Sequence, residues 1–127
     1  MSDPMAFLPA GRALLLACFV ALPLGACVAG HADSAAGRAA VLATTVSRAI
    51  ACKAGSPQRT TLDRFLAAEK ERGASGEQLA AARSAYVSVS EAEMINQGVR
   101  PQPCTAEERA ALRGKMNEVR AGRFEAP

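Results

Sequence analysis

Few side chains in this 127-residue chain are able to do chemistry: four cysteines, Cys18, Cys27, Cys52 and Cys104, and a single histidine, His31. His31 falls in a tether or a removed segment, so a histidine-based triad, a histidine metal site and a c-type haem signature are all missing. There is no Gly-rich phosphate loop and no Ser-x-x-Lys pair. Neither Cys52 nor Cys104 has a second cysteine or histidine beside it to begin a tetrahedral metal site. Glu91 and Glu93 come nearest to a carboxylate pair for acid–base work, but residues two apart point to different helix faces, so both read as solvated charges. The inventory predicts no catalytic residues, no metal and no cofactor. What remains for the thiols is acylation or oxidation, and the compartment decides between them.

The compartment is readable near the N-terminus. Residues 13–30, ALLLACFVALPLGACVAG, carry no charge and follow the cation Arg12. A basic flank, an apolar run broken by Pro23 and small residues after it make a secretory signal pattern. The run approaches the roughly 20 residues of a spanning helix, so an uncleaved anchor is the alternative. Both readings place the rest of the chain outside the cytoplasm, because Arg12 is the retained positive flank.

The end of that run, Leu24-Gly25-Ala26-Cys27, resembles the lipobox of bacterial lipoproteins. The resemblance covers residues 1–27 and implies location, not activity. It implies that the Cys27 thiol is lipidated and that the chain is cut before it. Each buried acyl CH₂ then contributes about 0.8 kcal/mol to membrane attachment. Val28 after the cysteine, rather than Asp, implies outer-membrane sorting in a diderm host. Ordinary cleavage after Ala32, with Gly30 and Ala32 as the small pair, is the alternative and gives a soluble periplasmic or secreted chain.

Under each of these readings Cys52 and Cys104 are left over in an oxidising space, which predicts a Cys52–Cys104 disulfide; two free buried thiols are the other possibility. The bridge matters because the core is thin. Of residues 33–127 only 15 are Leu, Ile, Val or Phe, whereas alanine occurs 29 times in the whole chain. A small core of this kind needs a staple. On chain-entropy grounds a loop of this length gains roughly 4 kcal/mol from closure.

The exported part reads as all-α: a small four-helix bundle, or a pair of helical hairpins, clipped by one disulfide. Residues 28–34 read as a tether, 35–122 as the helical domain and 123–127 as a frayed tail, although Phe124 could fold back. Helix one spans about Ala35–Ala51 behind Ser34, with Leu42, Val46 and Ile50 along one face. Helix two follows Thr60, which with Asp63 resembles a capping box, and stops at Gly73. Helix three opens on the box Ser75/Gln78, buries Leu79, Ala82, Tyr86 and Val89, and ends near Gln97 with Gly98 as the stop. Val99 to Pro103 is extended around two prolines. Helix four follows Thr105, paired with Glu108, and buries Leu112, Met116 and Val119; Gly122 stops it, and Gly114 is placed for close helix approach.

Candidate binding residues are Asn96 and Gln97, which could equally cap helix three, and the cations Arg109, Arg113 and Lys115 of helix four, with Arg120 and Arg123 beyond. The cations could meet anionic head groups or an acidic partner. A net charge of +3 is too mild to indicate nucleic acid, and no aromatic residues interleave with the basic ones. The expectation is an envelope lipoprotein that acts by binding or structure. Its partners would be the membrane, through a lipid anchor, and an envelope protein, with no nucleic acid. The alternative is a soluble periplasmic stress chaperone. Cys52, Cys104 and the run TAEERAALRGKMNEVR are similar in outline to the acid-stress chaperones of the HdeA kind. That likeness implies a helical fold with one long-range disulfide and a basic helix after its second cysteine.

Overall fold

The computed structural model describes residues 33–124, which form four helices and no strand: α1, Ala35–Ala51; α2, Thr61–Glu71; α3, Gly76–Val99; and α4, Ala106–Arg120. The chain is a small all-α fold joined by one disulfide, Cys52–Cys104. The segments expected to be the signal and lipobox, and most of the expected tether, lie outside the described residues. Among the described residues no helix is long and apolar enough to cross a membrane.

Local chemistry sets most of the helix ends. Ser34 accepts the Gly37 N–H at 2.9 Å and starts α1. Ser75 and Gln78 complete a reciprocal capping box at α3. Thr105 accepts the Glu108 N–H at 3.1 Å and starts α4, but the Glu108 carboxylate turns away to Arg48, so that box is half-made. Thr60 makes no side-chain cap. Its backbone (φ −90°, ψ 2°) is not the extended conformation a cap needs. α3 runs past the expected stop at Gly98 to Val99. Pro101 is the real terminator: it forces Arg100 out of the helical region, to φ −135° and ψ 76°. Gly98 and Gly114 are helical glycines with nothing within 4 Å of a would-be Cβ, so Gly114 serves no close helix approach.

The largest helix–helix interface joins α1 and α3. α1 contributes Ala35, Ala39, Leu42, Ala43, Val46 and Ala49, all buried. On α3 only Ala82 is fully buried, while Leu79, Ala85 and Tyr86 are partly buried against the core. Small side chains on both helices let the backbones come close, and volume comes from elsewhere: Phe65 and Leu66 of α2 and Leu112, Met116 and Val119 of α4.

The first three helices run up, down and up. Arg38, at the start of α1, meets Glu69 near the end of α2, and a short turn leads into α3. At the other end Arg48 faces Glu93 electrostatically, and Cys52 meets Cys104 just beyond α3. From there α4 turns back over the end of α1 and the 52–60 loop. Arg64 of α2 donates to the Arg120 carbonyl at 2.9 Å. A Cβ on Gly55 would stand 3.3 Å from Met116. The tail is not frayed as far as Phe124. That residue is buried edge-on against Phe65, with centroids 5.6 Å apart at 87°, because the thin core leaves an aromatic face open to it.

Glu69 is a fully buried carboxylate. Arg38 grips it with both forks at 2.9 and 2.5 Å, and Arg72 stands 3.6 Å away. The Arg38 hydrogen bonds outweigh burial and hold the Glu69 carboxyl below the ordinary range.

Candidate functional site

Cys52 and Cys104, 52 positions apart in sequence, are joined at 1.99 Å with Cα atoms 5.6 Å apart. Cys52 is buried and Cys104 is half-buried. Arg48, one turn before Cys52, donates to both Glu108 oxygens at 2.6 and 2.9 Å and to the carbonyls of Gln102 and Pro103 at 3.3 Å each. This single guanidinium ties the end of α1 to the connector and to the first turn of α4. The same hydrogen bonds raise the Arg48 pKa and lower that of Glu108. The Glu108 carboxylate lies within 4.8 Å of both sulfurs. The sulfurs are bonded to each other and the carboxylate to Arg48, so the cluster offers no free ligand set.

Three helices end in the same way. In α2 and α4 the C′ residues are Gly73 (φ 95°) and Gly122 (φ 78°). Their N–H groups bond back to Lys70 and Val119, and those of the next residues to Glu69 and Glu118. This is the Schellman arrangement, which favours glycine. α1 makes it too, with Lys53 N–H to Ile50 and Ala54 N–H to Ala49. Here the left-handed position is held by Lys53, at φ 53°. That conformation costs an L-residue about 1 kcal/mol.

The result is an open cleft of about 440 Å³ over the bridge. Its walls are the last residues of α1 with Lys53, the connector from Gln102 to Cys104, and Arg109 and Arg113 of α4. Among the described residues three cations line it, and no carboxylate, imidazole or free thiol does. Among the described residues the side chains of Lys53 and Arg113 have no ion-pair or hydrogen-bond partner, and that of Arg109 has only the field of Glu108. Arg109 and Arg113 stand one helical turn apart, where like charges repel. Chemically the cleft is equipped to receive negative charge.

Of the sequence candidates, Arg109 and Arg113 are thus brought together with the disulfide. Lys115 is exposed on α4 outside the cleft. Asn96 and Gln97 are also outside it; Asn96 is exposed, and its backbone carbonyl caps α3 by accepting from Arg100 at 2.8 Å. Cys27 lies outside the described residues. Sequence reading missed Lys53 and Gln102. The one signal for Lys53 was its place directly after a helix end and a cysteine, in a segment read simply as a loop. No family model, curated protein or solved structure matches this chain.

Proposed function

We propose that this is a small exported lipoprotein of the cell envelope, held to a membrane through Cys27 and acting by binding rather than catalysis. The observation that carries the reading is the Cys52–Cys104 bridge behind an uncharged apolar leader, because stable disulfides belong to oxidising compartments. The cation-lined cleft supports the binding half. Metabolic labelling with palmitate tests the anchor. Label is expected on the wild type and lost, together with membrane fractionation, in Cys27→Ser. An unlabelled chain whose mature N-terminus lies near Asp33 would reject the lipid anchor.

One observation favours a second reading, a soluble periplasmic chaperone. The outer face of α3 exposes Val87, Met94, Ile95 and Val99, apolar surface of the kind that receives unfolded clients. That reading expects dye-accessible apolar surface to rise at pH 3 together with protection of client proteins. Unchanged dye binding and no protection would remove it.

A further inference from the structure

We infer that the cleft over the disulfide is a binding site for a phosphate ester, with Lys53, Arg109 and Arg113 as its anion-binding groups and Gln102 as a neutral neighbour. The inference deepens the binding half of the proposed function and stands whether or not Cys27 carries lipid. Three features converge on one place. First, the three cations share one cleft that among the described residues has no acidic residue in its lining. Glu108 is gripped by Arg48 at 2.6 and 2.9 Å and reaches Arg109 only through its field, with no hydrogen bond or ion pair to any of the three. Second, Arg109 and Arg113 sit one turn apart on α4 with no counter-ion between them, an arrangement a bound anion relieves. Third, Lys53 occupies a left-handed position that the other two helix ends of this type give to glycine. Strain kept at a binding surface points to a role for the side chain it carries.

The charge selects the ligand class. A single carboxylate is satisfied by one guanidinium fork. A phosphate group carries nearly two charges and several acceptor oxygens, so it can engage two arginines and a lysine at once. The cleft, at about 440 Å³, lies within the range of small-molecule sites and leaves room for a polar substituent beyond the phosphate. A free phosphate monoester carries all of this chemistry; the phosphodiester head group of an anionic phospholipid keeps one negative charge and two acceptor oxygens, enough to bridge two of the cations.

The test uses the full chain in a neutral detergent, with titrations of inorganic phosphate, glycerol 3-phosphate and dihexanoyl phosphatidylglycerol followed by amide NMR. All three probes are expected to give saturable shifts at residues 51–53, 102–104, 109 and 113. Arg109→Gln/Arg113→Gln is expected to weaken binding by at least about tenfold, the scale of one lost charge-assisted hydrogen bond. Lys53→Gly separates binding from folding. It is expected to raise the unfolding midpoint, because glycine fits the left-handed position, while weakening phosphate binding by about tenfold. Tighter binding of the short-chain lipid than of glycerol 3-phosphate identifies the head group as the ligand; equal binding identifies a soluble ester. Absence of saturable shifts, or binding that survives both variants, overturns the inference. Either result leaves the palmitate test of Cys27 untouched, so the two failures are distinguishable.

Discussion

Arg48 and Glu108 form a two-pronged ion pair across 60 positions of sequence, four residues before Cys52 and four residues after Cys104. The pair therefore sits four residues from each half of the bridge and repeats its restraint without a covalent bond. It also occupies the Glu108 carboxylate, which then acts on Arg109 of the cleft only through its field. Arg48→Ala is expected to lower the urea midpoint and to speed hydrogen exchange in the first turn of α4 with the disulfide intact. Exchange there unchanged from wild type would show that the bridge alone holds α4.

Removing the bridge is the larger perturbation. A Cys52→Ala/Cys104→Ala chain is expected to lose about 4 kcal/mol in denaturant unfolding. That loss rivals the whole stability of a marginal domain. A loss below about 1 kcal/mol, below the bottom of the usual range for native bridges, would mean that the helices pack adequately without the staple.

The buried pair Arg38–Glu69 makes a separate claim. Arg38→Ala leaves the Glu69 carboxylate inside the core with only Arg72 nearby, at 3.6 Å. A cost of about 2 kcal/mol is expected, below the usual figure for breaking a buried pair because Arg72 remains. The pH dependence follows from the direction of the shift. The folded carboxyl titrates below its ordinary value of 4.5, so the stabilisation is complete above that value and is lost as pH falls through the lowered one. Glu69→Gln should flatten the acid limb of a stability–pH curve. An acid limb identical to wild type would contradict the pairing.

Two aromatic rings and one idle glycine test the packing. Phe65→Ala should cost about 3 kcal/mol, since Phe65 is the largest fully buried side chain among the described residues and meets Phe124 edge-on. Gly114→Ala should stabilise by up to about 1 kcal/mol, because a Cβ there meets nothing within 4 Å. Thermal unfolding of the two variants should therefore move in opposite directions.

The pattern of what was legible follows from sequence distance. Ser34, Ser75 and Thr105 act within three residues, so caps and helix starts could be read directly, as could the glycine stops Gly73 and Gly122. The Cys52–Cys104 bridge was readable at long range because elimination left only two thiols. The Arg48 clamp, the burial of Glu69 and the return of Phe124 were not readable. Each joins groups 31 or more positions apart, and nothing local distinguishes Glu69 from the exposed Glu71 two residues on. Half the cleft was legible, through the one-turn spacing of Arg109 and Arg113. Lys53 was not, because a left-handed lysine is set by the helix end around it.

The most direct measurement takes the chain from the membranes of a bacterium producing it, blocks free thiols without reductant, and determines intact mass and N-terminus together. The account predicts a chain beginning at a diacylated Cys27, with Cys52 and Cys104 unmodified by the blocking reagent. A full-length cytosolic product with both of those thiols alkylated would contradict it.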